Sequence, residues 1–140
     1  MGLFDKFSSD TKLTPAIALA TSMIYMMAVD GDISDEEMNY LAVKLYAIGD
    51  ADDLIRLSHK YSKKQDLEAF QKEANEQLSE EQKYTVLANL IDLLLADGSA
   101  EDEEQSLFFS FVEAFGISED DIQPYIDIIS VKNDLASFVE

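Results

Sequence analysis

The sequence predicts an all-α protein, a compact single-domain bundle of seven or eight helices with internal two-fold pseudo-symmetry. Three observations predict it. Apolar residues recur at three- and four-residue spacing in segment after segment, and no segment alternates as a strand does. Helix starts are marked by capping residues along the chain. One acidic phrase, AVDGDISDEE at 28–37, returns sixty-seven residues later as LADGSAEDEE at 95–104.

The opening, MGLFDKF, supports a short helix over 3–8 through Leu3, Phe4 and Phe7. Docking on the protein's own core is expected of it, in preference to a membrane foot, because six residues bury little area and the remaining surface is anionic. Thr14 and Pro15 pair an N-cap with Pro at the first helical position, opening a helix over 14–29. Its sixteen uncharged residues from Thr14 to Val29 are short for a membrane span and long for a strand, so this is a buried helix. A capping box at Ser34–Glu37 opens a helix over 34–48, with an apolar stripe of Met38, Leu41, Ala42, Leu45 and Ile48. Met23, Met26, Met27 and Met38 fit as core filler.

A helix over 51–61 follows. The pair Ser62–Gln65 reads as a second capping box, opening a helix over 63–78 with Leu67, Phe70, Ala74 and Leu78 inward. Ser79–Gln82 reads as a third, opening 80–96. The helix over 101–115 repeats the stripe with Leu107, Phe108, Phe111, Val112 and Phe115. Ser118 caps a helix over 119–131, which Pro124 begins or bends. Connections are short and no Pro/Gly/Ser-rich linker occurs, so residues 1–140 form one domain.

The repeat is longer than the phrase. Residues 18–53 align with 85–120 without a gap, pairing Asp30 with Asp97, Gly31 with Gly98, Asp35-Glu36-Glu37 with Asp102-Glu103-Glu104, and Gly49 with Gly116. These glycines each follow a helix, where Gly supplies the left-handed residue after the last turn. Within VLANLIDLLLA, Asn89 and Asp92 interrupt the apolar run. The preferred reading is that they mark the helix's less buried edge. The alternative is a polar contact between the halves, or support for Asp97.

Composition excludes several functions. Cysteine is absent, which removes disulfides, thiolate metal sites and a cysteine nucleophile. His59 is the one histidine, too few for zinc or iron sites built on imidazoles. No signal peptide is visible, and Lys6 stands where a myristoylation signal wants Ser or Thr. The net charge of -19 opposes nucleic acid and anionic membranes. Residues 56–83 balance six bases against six acids, whereas 30–53 hold eight acids and one Lys, and 97–120 hold eight acids and no base. The negative charge thus gathers at the two phrases.

Much of each phrase needs no ligand. Ser34 and Glu37 cap a helix, and Asp35, Glu36 and Glu101–Glu104 suit the positive end of a helix dipole. Asp30 and Asp97 differ. Each ends an apolar helix, at the negative end of its dipole, and Asp32 adds to this in the first copy. A bound cation would reverse the penalty, taking carboxylates and free helix-end carbonyls as ligands. An all-oxygen set selects a hard ion: Ca²⁺, Mg²⁺ or Mn²⁺. It is not an EF-hand, since Asp35 stands where Gly is required and Leu41 where Glu is required.

VDGDISDEE and ADGSAEDEE, each between two helices, resemble the TerB-type tellurite-resistance family, and MGLFDKF is similar to that family's usual start. The resemblance covers nearly the whole chain. It implies a non-enzymatic, cytoplasmic bacterial protein of tellurite and stress responses. It implies cation-binding acids and association with other tellurite-resistance proteins, some at the membrane, so that the protein could sit peripherally at the inner membrane through a partner without inserting. The motif Asp falls on Asp30 and Asp97, and the motif Glu on Glu37 and Glu104. The second copy departs at Ala100, a weak apolar residue, and at Glu101, which replaces a small hydroxyl cap.

The expectation is therefore a divalent-cation-binding interaction module that uses Asp30, Asp32, Glu37, Asp97 and Glu104. The alternative is a metal-independent acidic adaptor that docks on a basic protein surface. Mimicry of nucleic-acid charge is a third possibility. Acid-base hydrolysis is disfavoured because no residue is set as a nucleophile and His59 lies between Ser58 and Lys60 on a mixed helix.

Overall fold

The computed structural model describes residues 12–29, 31–96 and 101–139. The helix expected over 3–8, and Asp30 and Asp97, lie outside the described residues. Among the described residues the chain forms seven α-helices and no strand. They are α1 (Pro15–Met27), α2 (Asp35–Leu45), α3 (Ala51–Ser62), α4 (Leu67–Gln77), α5 (Glu80–Leu95), α6 (Asp102–Ala114) and α7 (Glu119–Asn133). A 3-10 turn at Ala136–Phe138 follows.

Capping chemistry sets most starts. The Ile17 N–H donates to Thr14 Oγ1 at 3.2 Å, with Pro15 at the first helical position of α1. Ser34 and Glu37 cap α2 reciprocally, as do Ser79 and Gln82 for α5. The box expected at Ser62–Gln65 does not form. Ser62 is the last residue of α3 and donates its hydroxyl to the His59 carbonyl. Asp66 caps α4 instead, accepting the Ala69 N–H at 2.8 Å, so this helix starts at Leu67. Ser118 caps α7. Pro124 therefore lies inside α7, where it has no N–H to offer the preceding turn.

The glycines divide. Gly116 follows α6 at φ +68°, and the N–H groups of Gly116 and Ile117 bond the carbonyls of Glu113 and Val112. That is the double bond of a Schellman ending. Its sequence partner Gly49 has no positive φ; α2 stops at Leu45, and Gly49 closes a looser turn onto the Leu45 carbonyl. Gly31 has φ +117° but lies beyond the α1 cap residue Ala28.

One core joins the helices. α1 is buried on nearly every side and packs against α3 and α5, while α5 also supports α6 and α7. Phe70 of α4 is fully buried at the centre. Its ring stands 5.7 Å from Tyr25 of α1, 5.8 Å from Tyr61 of α3 and 6.2 Å from Phe111 of α6, so one side chain contacts three neighbouring helices. Both expected stripes point inward: Leu41 and Leu45 of α2, and Phe108, Phe111 and Val112 of α6, are buried. Ile48, expected in the first stripe, is 49 % exposed because α2 ends before it. Among the described residues no helix is long and apolar enough to cross a membrane.

Candidate functional site

The two acidic phrases meet. A groove of about 570 Å³ opens where the C-terminal ends of α1 and α5 approach the starts of α2 and α6. Its floor includes Met26 and Met27; its walls carry Glu36 and Glu37 from the first phrase and Glu101 and Glu104 from the second. Local folding explains this. In each half an acidic helix starts a few residues after an apolar one ends, and α1 packs on α5.

The ends of these helices favour a cation. The C-terminal ends of α1 and α5 bring the negative ends of two helix dipoles to the groove, which Val29 and Ala96 line. At the start of α2 the N–H groups are already occupied: Glu37 donates its N–H to Ser34 Oγ at 3.1 Å, and Glu37 Oε1 accepts the Ser34 N–H at 3.0 Å. At α6 the equivalent bond from the Glu101 N–H to Glu104 Oε1 is longer, 3.4 Å. Glu101 in place of a small hydroxyl residue accompanies this looser cap.

A second feature of the groove is absent from both phrases. Asp92 of α5, with its side chain 16 % exposed, accepts three hydrogen bonds. Tyr40 of α2 donates its hydroxyl to Oδ2 at 2.6 Å; Lys132 Nζ and Asn133 Nδ2 of α7 donate to Oδ1 at 2.7 and 2.9 Å. Burial pushes the Asp92 carboxyl up, but the bonds from Asn133, Lys132 and Tyr40, with the Lys132 charge, outweigh it and hold it at about 2. Burial, then the bond to Asp92 and its charge, raise the Tyr40 phenol well above its ordinary value.

Asp92 thus corrects the preferred reading of it as the less buried edge of its helix; it is a polar contact between the halves. Asn89 does not share this role, since its amide donates to the Thr85 carbonyl one turn back in its own helix. Tyr40, Lys132 and Asn133 were not singled out in the sequence. The gap-free alignment sets Leu107 opposite Tyr40 and Tyr25 opposite Asp92, so a search for duplicated acids passes over the network. An Asp within an apolar run was the available signal.

Of the five expected cation ligands, Glu37 and Glu104 line the groove and Asp32 is exposed outside its walls. Asp30 and Asp97 lie outside the described residues. Among the described residues no three acidic or imidazole groups are close enough to hold a metal ion. What the groove offers is the carboxylate oxygens of Glu36, Glu37, Glu101 and Glu104, hard donors in kind. His59 is half-buried on α3 and is not part of the groove.

The family model described as Tellurite resistance protein TerB matches residues 16–125. That span holds both phrases and the helices on either side of them. No curated protein and no solved structure matches the chain. With the match spanning most of its length and the described residues all-helical, the chain belongs to the TerB family of tellurite-resistance proteins.

Proposed function

We propose that the protein binds a hard divalent cation, Ca²⁺, Mg²⁺ or Mn²⁺, in the groove where its acidic phrases meet. It would work as a non-enzymatic interaction module of a cytoplasmic tellurite-resistance and stress-response assembly. The observation that supports this most is the placement of Glu37 and Glu104, from opposite halves of the sequence, on one groove. Four glutamates line that groove, and its ammonium, Lys132, is engaged by Asp92. In this reading Asp30 and Asp97 complete the ligand set with Glu37 and Glu104, and Asp32 adds charge beside it. The bound ion would neutralise carboxylates that otherwise repel one another. Partners would be other proteins of the tellurite-resistance system, some of them at the membrane.

Thermal unfolding of chelator-stripped protein tests this, with ionic strength matched by NaCl. A cation at 100 times its Kd adds about 2.7 kcal/mol, a rise of several degrees in Tm. Asp30→Asn and Asp97→Asn should each abolish the rise while melting normally without metal. An equal response in all three proteins would favour the metal-independent acidic adaptor.

A further inference from the structure

α7 has two apolar faces. Ile122 is fully buried and Ile126 and Ile129 pack on the core. On the other side Ile128 and Val131 are 70 % and 75 % exposed, and Leu135, Phe138 and Val139 continue the stripe beyond the helix at 63–79 %. A surface helix normally turns polar residues outward. A run of exposed large apolar residues of this kind marks an interaction surface. Most of the stripe lies past residue 125, beyond the span of the family match.

Charge identifies what fits there. Residues 84–140 contain thirteen acids and one base, Lys132. That base is bonded to Asp92. Asp127 and Asp134 lie within the stripe's span and are exposed. An occupant must therefore bring apolar side chains and positive charge together. A second copy's stripe carries the same acids, so stripe-to-stripe pairing sets like charges together, and an anionic lipid surface is repelled. Tyr125, Ile128 and Val131 recur at the three-residue spacing by which one helix grips another, and Leu135 extends the apolar surface into the turn after the helix.

We propose that the outer face of α7 and the turn after it form a docking surface for a cationic amphipathic helix of another protein. Apolar anchors would seat on Ile128, Val131 and Leu135, with Lys or Arg facing Asp127 and Asp134. The proposal rests on the interaction-module part of the function proposed above and is independent of the cation site.

The test uses the full chain in chelator, so that failure of the cation reading leaves it intact. The probe is a fluorescein-labelled Leu/Lys peptide with leucines at helical spacing, followed by fluorescence anisotropy. A scrambled peptide of the same composition and a Leu/Glu peptide are the controls. The ordered Leu/Lys peptide should bind at least about tenfold more tightly than the scrambled one, and the Leu/Glu peptide should not bind. The double variant Ile128→Ser/Val131→Ser should weaken binding at least about tenfold with unchanged Tm, because both side chains are exposed. Equal binding by the scrambled peptide, or by the double variant, overturns the proposal in favour of unspecific charge attraction. It is also overturned if the stripe residues mediate a dimer in sedimentation, or bind vesicles. The same holds if the peptide binds only after Leu3, Phe4 and Phe7 are replaced by serine.

Discussion

Tyr40 donates its hydroxyl to Asp92 across 2.6 Å, tying the helix after the first acidic phrase to the helix before the second. Lys132 and Asn133 close on the same carboxylate from α7. One carboxylate thus holds three helices at the rim of the groove. The Asp92 carboxyl sits at about 2 in the fold, against about 3.9 in an unfolded chain. The native state binds fewer protons between those values, so the stabilisation is complete above about pH 5 and is lost as pH falls through about 2. Asp92→Asn should lower stability at pH 7 by about 1 kcal/mol, after allowing for solvent screening of a surface group. Urea unfolding between pH 7 and pH 3 should show the gap narrowing below about pH 4. A gap that stays constant with pH would contradict this assignment.

Tyr40 has the opposite sign. Its phenol is raised, so the stabilisation it gives through Asp92 is present at neutral pH and is lost only as pH climbs past the ordinary phenol value. In an alkaline titration followed by tyrosinate absorbance, Tyr40→Phe should remove a late-titrating phenol. Removal of an early-titrating one would contradict the bond.

Phe70→Ala should be among the most damaging single changes. Its fully buried ring contacts Tyr25, Tyr61 and Phe111 on three other helices. A loss of about 3–5 kcal/mol is expected from the transfer and cavity terms together. Denaturant unfolding checks it, and a loss below about 1 kcal/mol would mean that the aromatic cluster repacks.

Gly49 and Gly116 are paired by the repeat but should respond differently. Gly116→Ala forces a side chain into a left-handed turn at φ +68° and should cost about 1 kcal/mol. At Gly49 a new Cβ would meet Leu54 Cδ1 at 3.5 Å, an ordinary contact, and φ is not positive. Gly49→Ala should change stability by less than about 0.5 kcal/mol. Equal losses at the two sites would show that both act as left-handed helix ends.

The legible parts of the fold were those encoded locally. Ser34, Ser79 and Ser118 announce helix starts because each cap is satisfied within its own first turn. The stripes of α2 and α6 follow the helical period and point inward as that period requires. Ser62 misled because Asp66, four residues on, is a competing cap of equal chemistry, and a local pattern cannot choose between them. The end of α2 was missed because Ala47, Ile48 and Gly49 match the equivalent stretch around Gly116 in type, while the chain turns earlier at Leu45. In the groove the duplicated acids were legible and the Asp92 network was not. Tyr40 and Lys132 come from fifty-two residues before and forty residues after Asp92, and only packing brings them together.

The most direct test of the cation reading is calorimetric titration of Ca²⁺, Mg²⁺ and Mn²⁺ into chelator-stripped wild type, Glu37→Gln and Glu104→Gln. If the two phrases share one site, wild type binds at least one of the ions saturably. Each single variant then weakens that same event at least about tenfold, although the two residues lie in different halves of the sequence. No saturable binding, or binding that both variants leave unchanged, would contradict a cation site in this groove.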